Sequence, residues 1–325
     1  MNKIDITVLE QVRSWRSKKL EVILVTVAHT WGSSPRPVGS MLAWCANGQF
    51  VGSVSGGCIE EDLIDEFSRE VPTRVTVKSY GVSTEKAASR GLPCGGRLEV
   101  VVEPLTQEDD SALFLDAVAT RQRLKRSLNV KTGVVAIDKA APDERTRMAG
   151  DVFHVIFEAD WRLLIIGAGE LSQFVNQFAL ALGFTTSVCD PRENYHESWP
   201  QAETAVSKEM PDDFISVADC DPQTAVVALT HDPKIDDLAI LEALNTSAFY
   251  VGALGSKRTN LARRTRLAEH FDVSEEKLAF MRGPIGIDLN TRSAAEIALS
   301  VVTEIIARRN GVALISQRLG SDDVD

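Results

Sequence analysis

The chain lacks what would send it to a membrane, to nucleic acid or into an oxidising compartment. No segment approaches membrane-spanning length. The opening stretch MNKIDITVLEQVRSWRSKKL has Val8, Val12 and Trp15 at amphipathic spacing and no continuous apolar run, so it is not of secretory-signal type. Basic clusters are missing as well: 35 Lys and Arg stand against 46 Asp and Glu, a net charge of −11. RQRLKR and KRTNLARRTR fit helix faces balanced by nearby acids, so neither nucleic acid nor an anionic membrane surface is an expected partner. Cysteine is scarce: Cys45, Cys58, Cys94, Cys189 and Cys220 lie far apart with no zinc-type spacing. An odd, sparse set fits a reducing cytoplasm better than a disulfide framework. Internal repeats and low-complexity linkers are absent too. A soluble cytoplasmic protein is expected.

What is present divides in two. With 325 residues, 44% hydrophobic and 25% charged, the chain can build about two domains, each with its own core. Residues 22–103 carry short strand signals: EVILVTVAH, then SMLAWC and QFVGSV around Asn47-Gly48, then TRVTVKSY and the alternating RLEVVVEP. A helix is predicted over 109–126, with further strands in VKTGVVAID and DVFHVIFEAD. From Trp161 strand and helix alternate, which predicts a parallel, doubly wound sheet. The expected fold is α/β: an N-terminal mixed α+β domain (1–160), a Rossmann-like doubly wound parallel sheet domain (161–310) and an acidic tail (311–325).

The most unusual stretch of the first half is SVSGGCIEED, 53–62. Gly56 and Gly57 permit a tight turn, and Ile59, Leu63, Ile64 and Phe67 then recur at helical spacing, placing Cys58 near a helix N-terminus. Free N–H groups gather there and stabilise a thiolate or a bound anion. Glu60, Glu61 and Asp62 oppose thiolate formation and leave its sign open. An inert buried turn cysteine is the competing explanation. PCGG, with Cys94, Gly95 and Gly96, repeats the pattern, and Arg36, between Pro35 and Pro37, offers a guanidinium for phosphate. Cys45, Cys189 and Cys220 lie in or beside apolar runs and are expected to be structural.

In the second half, Gly167 and Gly169 supply two glycines of a dinucleotide fingerprint, and Asp190, 23 residues beyond Gly167, stands where an acid binds a ribose hydroxyl. Ser172 replaces the third glycine, and Glu170 puts a carboxylate beside the expected pyrophosphate. Two like charges about 5 Å apart in an effective dielectric of about 20 repel by about 3 kcal/mol, which argues against tight NAD(P) binding. His231, after a predicted strand, stands at the ligand-binding end of such a sheet, unless it is a loop residue paired with Asp232. Gly255, Ser256 and Lys257 form a further anion cradle at a strand-to-helix turn, unless the lysine is merely solvated.

Together GSSPRPVGSML (32–42), SGGCIEE (55–61), GLPCGGRLEV (91–100), THDPKID, VGALGSKRT and GPIGIDLNTRSAAEIALSV (283–301) resemble the XdhC/CoxI family, accessory factors of xanthine dehydrogenase and related molybdenum hydroxylases. The resemblance spans nearly the whole chain in order. It implies a molybdenum cofactor-binding chaperone that protects the cofactor while its sulfido ligand is installed and delivers it to a hydroxylase. A cysteine desulfurase and the hydroxylase are the partners implied, and a homodimer is compatible with it. The matching positions are Arg36, Gly56, Gly57, Cys58, Glu60, Cys94, Gly95 and Gly96, with Cys58 and Cys94 facing the molybdenum of the bound cofactor. Glu170, where many members have His, and GIDLNTR, where many have Gly-Ala-x-Thr-Pro, depart from the pattern. GAGELS with VCDPRENY is closer to the aldehyde-oxidase accessory branch, which implies the cytosine dinucleotide form of molybdopterin. Two other functions stay open: an NAD(P)-dependent oxidoreductase using Cys58, and an assembly scaffold with a vestigial nucleotide fold.

Overall fold

The computed structural model describes residues 3–32, 36–81, 96–105, 110–141, 144–200 and 204–313. The chain forms two compact units, Met1–Ala159 and Asp160–Asp325.

The first unit is built on a five-stranded antiparallel sheet of order β3-β2-β1-β5-β4, from β1 (Val22–Trp31), β2 (Met41–Cys45), β3 (Phe50–Gly52), β4 (Thr76–Tyr80) and β5 (Arg97–Pro104). Val22–Ala28 is buried residue after residue because both sides of this central strand are covered. Leu24, Met41, Ala43 and Val101 face one core, shared with α1 (Lys3–Ser17) and α3 (Ser111–Ala119). Ile23, Val25, Leu42, Trp44, Val100 and Val102 face another, closed by Leu63 and Phe67 of α2 (Glu60–Arg69). A second antiparallel sheet has order β7-β6-β9-β8: β6 (Leu124–Asn129), β7 (Val135–Lys139), β8 (Arg147–Ala149) and β9 (Val152–Phe157).

Two sequence expectations need correction here. The helix predicted over 109–126 is shorter: α3 ends at Ala119, and Leu124, Arg126 and Leu128 are buried with the two-residue period of a strand. VKTGVVAID is a strand only in its second half, since Gly133, at φ +73°, turns the β6–β7 hairpin. Both errors arise because short apolar runs fit either period.

The second unit is a parallel sheet of order β12-β11-β10-β13-β14: β10 (Arg162–Ile166), β11 (Thr185–Cys189), β12 (Val206–Ser207), β13 (Thr224–Ala228) and β14 (Tyr250–Ala253). The order reverses between β10 and β13, so a switch-point crevice opens at their carboxyl ends, where ligands of doubly wound sheets bind. Helices α4 (Glu170–Ala181), α5 (Glu193–His196), α6 (Pro211–Val217), α7 (Pro233–Ala243), α8 (Lys257–Phe271), α9 (Glu275–Phe280) and α10 (Ala294–Arg309) complete it. One core joins α4 and α10 to the sheet through Val175, Ala179, Val301 and Ile305; another joins α7 and α8 through Ala239, Ile240 and Leu267. Among the described residues no helix is long and apolar enough to cross a membrane. The acidic tail beyond residue 313 lies outside the described residues.

Candidate functional site

The SGGC stretch connects β3 to α2, and one carboxylate organises it. Glu60, the first residue of α2, is 6% exposed. Its Oε1 accepts the Ser53 hydroxyl at 2.7 Å and the N–H groups of Val54 and Ser55 at 2.9 and 2.8 Å. Its Oε2 accepts the N–H groups of Gly57 and Ile59 at 3.0 and 3.2 Å, and the Ser55 hydroxyl. Burial pushes this carboxyl up, but the hydrogen bonds from Ser55, Ser53 and the backbone outweigh it and hold the pKa at about 2. The loop is thus an anion nest filled by the chain's own side chain.

That arrangement bears on two expectations. Glu60 orders the loop from within, its carboxylate occupied by six donors of the chain. Gly56 and Gly57 offer no free N–H groups to a phosphate: the Gly56 N–H donates to Ser53 Oγ at 2.9 Å and the Gly57 N–H to Glu60. The glycines are required for another reason, φ values of +74° and +106°. Both are exposed, and among the described residues a Cβ at Gly57 would meet nothing within 4 Å, so none of them covers the turn.

Cys58 stands just ahead of α2, half-buried, its side chain against the Ile59–Leu63–Phe67 core and its N–H on Ser55 Oγ at 2.9 Å. Arg36 reaches the same loop and donates from Nε to the Ser53 carbonyl at 3.3 Å. Strand register explains why these segments converge. Met41 pairs with Thr26, Gly52 with Leu42, Arg97 with Trp31 and Tyr80 with Leu98. The Arg36 loop, the SGGC loop and both ends of the segment carrying Cys94 therefore leave the sheet at one end. Gly96 lies there, its Cα 3.8 Å from where Gly32 would carry a Cβ. Cys94, Gly95 and Pro35 lie outside the described residues. Among the described residues no group of three or more His, Cys, Asp or Glu could hold a metal ion. The three other cysteines are buried; burial, then Asp190 and Glu209, raises the Cys189 thiol to about 12.

In the second unit Gly167 turns the β10–α4 loop at φ +108°, and a Cβ there would come within 3.0 Å of Thr230 Cγ2 and 3.2 Å of the Leu229 backbone. The loop thus packs onto the β13–α7 loop at the switch point. Asp190 does not present its carboxylate to a ribose. It is fully buried and accepts the Ala168 N–H at 2.9 Å, the Arg192 N–H at 3.1 Å and the Arg192 guanidinium at 2.9 and 2.8 Å. Burial raises its pKa, but Arg192 and the Ala168 N–H outweigh this and hold it below the carboxylate range. Tyr195 lies 4.0 Å from where Gly169 would carry a Cβ, and the Arg192 guanidinium stacks 4.0 Å from its ring centroid. The second glycine's approach face is therefore partly covered by the chain itself. Ser172, in the third glycine's place, is fully buried, and Glu170 is exposed at the start of α4.

His231, Gly255 and Ser256 do come together, lining a pocket of about 310 Å³ with Leu254, Thr259 and Arg263. His231 adopts φ +64° and is exposed. Asp232 does not serve it but caps α7 through the Lys234 N–H at 3.0 Å. Ser256 caps α8 through the Thr259 N–H at 3.1 Å, and Lys257 is exposed on the first turn. Sequence reasoning missed Arg263, 1% exposed, which bonds Asp237 at 2.8 Å, Asp236 at 3.1 Å and the Leu254 carbonyl at 3.1 Å. Asp236 in turn accepts the Thr230 N–H and hydroxyl at 3.1 and 2.7 Å, so one guanidinium ties both loops of the pocket.

Comparison with known proteins agrees with this division. Residues 15–81 match the model of the XdhC and CoxI family, and residues 163–305 match that of the XdhC Rossmann domain. The chain is 28% identical over 296 residues to the "Molybdenum cofactor insertion chaperone PaoD" of Escherichia coli, covering 88% of this chain and 83% of that protein. It is 26% identical to a Bacillus subtilis protein named as a probable xanthine dehydrogenase subunit, covering 91% of this chain and 95% of that one. A crystal structure described as a xanthine dehydrogenase from Bacillus halodurans shares the fold, with a TM-score of 0.69 at 23% identity over 95% of this chain and 98% of that one. Two family models in chain order, one per unit, match the motifs carrying Arg36, Cys58 and the Gly167 loop, and the chain belongs to the XdhC and CoxI family.

Proposed function

We propose that this protein is a molybdenum cofactor-binding chaperone that protects the cofactor during sulfuration and delivers it to a molybdenum hydroxylase of the xanthine dehydrogenase or aldehyde oxidase type. The observation that carries this reading is the loop built around Glu60. It uses a buried carboxylate and six donors to hold a half-exposed thiol beside an exposed glycine turn, with an arginine from the β1–β2 loop bonded to it. A packing cysteine needs no such support. The donor set fits the cofactor's chemistry: a soft thiol suits a sulfur-ligated molybdenum, and a guanidinium suits the phosphate at the other end. Cys58 and Arg36, together with Cys94 as the sequence resemblance implies, would hold the group, whose own dithiolene carries the metal. The relative named as an insertion chaperone supports the same role. The cytosine dinucleotide form, a cysteine desulfurase as sulfur source and self-association as a homodimer belong to the same proposal and rest on the sequence resemblance; a cytoplasmic location belongs to it too and rests on the sparse, scattered cysteines.

Delivery requires release, so micromolar affinity, about −8 kcal/mol, suffices. Saturable retention of molybdenum cofactor by the full chain on ultrafiltration, near one per chain, is the expected result. Retention no greater than by an unrelated acidic protein would overturn the proposal. An NAD(P)-dependent oxidoreductase is disfavoured by Asp190, whose carboxylate is already occupied, and by Tyr195 over Gly169.

A further inference from the structure

Between the two sheets of the first unit lies a cavity of about 230 Å³. Protein interiors are close-packed and leave few voids larger than a water. A dry cavity of about 150 Å³ already takes up benzene, so this one accommodates a planar molecule of one or two fused rings. Its apolar wall includes Leu9, Met41, and Phe114 and Phe157, whose rings stack 4.0 Å apart at 13°. Its polar lining includes Arg74, Asp110 and Lys131 and one buried ion pair: Arg126 donates from Nη1 and Nη2 to both oxygens of Glu103, at 2.9 and 2.5 Å, both side chains are 10% exposed, and Asp110 Oδ2 lies 4.0 Å from Arg126 Nε.

That pair retains hydrogen-bonding capacity. Two parallel bonds use one lone pair on each carboxylate oxygen and one N–H on each terminal nitrogen, leaving a second of each. Side by side, an acceptor and a donor match a lactam edge, in which a ring N–H adjoins a carbonyl. A neutral ligand leaves the pairing of Arg126 with Glu103 undisturbed. The site is separate from the SGGC loop: Glu103 stands near the end of β5 opposite Gly96.

We infer that this cavity binds a small neutral heterocycle through a lactam edge held by Arg126 and Glu103. The test is calorimetric titration of the full chain with three ring compounds of one size: quinazolinone, which carries the edge; quinoline, which lacks it; and naphthoate, which is anionic. Quinazolinone is expected to bind saturably, one per chain and at least about tenfold tighter than the other two. The paired replacement Glu103→Leu with Arg126→Met should abolish that preference, and Val135→Trp, at the cavity wall, should abolish binding of all three. Undetectable quinazolinone binding, equal affinity for all three, or a preference that survives the paired replacement would overturn the inference. The paired replacement decides the matter if Val135→Trp does not fold, because apolar residues of similar volume are tolerated in place of buried pairs.

Discussion

The Glu60 carboxylate accepts both the N–H of Ser55, at 2.8 Å, and its hydroxyl, so the first residue of a helix closes on the loop that leads into it. A side chain with one carbonyl oxygen cannot replace an acceptor of six donors. Glu60→Gln should destabilise the first unit by about 3 kcal/mol, the free-energy equivalent of the depressed pKa, and raise the alkylation rate of Cys58. Melting temperature and thiol-labelling kinetics read the two effects.

The same carboxylate sets a pH window. Its folded pKa of about 2 lies below the ordinary 4.5, so its contribution is complete above that ordinary value and fades as pH falls toward 2. The stability gap between the native protein and Glu60→Gln should therefore be constant from neutral pH to about 5 and narrow below 4.5. A gap that widened on acidification would contradict the assignment.

Gly57 and Gly167 both need positive φ, yet only Gly167 is crowded. Gly57→Ala should cost about 1–2 kcal/mol from backbone strain alone. Gly167→Ala should cost more, because its Cβ would press on Thr230 and the Leu229 backbone. Equal losses in denaturant unfolding would show that the β10–α4 loop is not packed as described.

Much of this was legible in the sequence. The change of texture near Trp161, the strand RLEVVVEP and the Gly167 turn follow from periodicity and glycine placement, which are local properties. Convergence of Arg36, Cys58 and Gly96 was legible only through the family resemblance, because it depends on strand register over some sixty residues. Hydrogen-bond direction was not legible. Glu60 and Asp190 are acids at turns, and nothing in their spacing says whether such a carboxylate faces a ligand or the chain's own N–H groups. Arg263 was missed for the same reason: on α8 it is one of several arginines, and only tertiary packing makes it the buried one.

NAD and NADP should bind weakly to the unmodified protein, with no saturation below about 10 µM in a nicotinamide fluorescence titration. Asp190→Asn should not create a site but lower the melting temperature, since it weakens the hold on Arg192 and the Ala168 loop. Low-micromolar dinucleotide affinity would show that Asp190 and Tyr195 rearrange to admit a ligand.

Cys58→Ala separates a ligand thiol from a packing residue, and activation of the client hydroxylase is the readout to measure. The side chain is half-buried against one edge of a core, so its loss should cost under about 1 kcal/mol and leave the melting temperature nearly unchanged. Activation of a molybdenum hydroxylase by the variant, assayed with excess cofactor and sulfur donor, should nevertheless fall at least about tenfold. Full activation by Cys58→Ala, at any melting temperature, would mean that the loop around Glu60 holds an ordinary turn and that the cofactor is carried elsewhere.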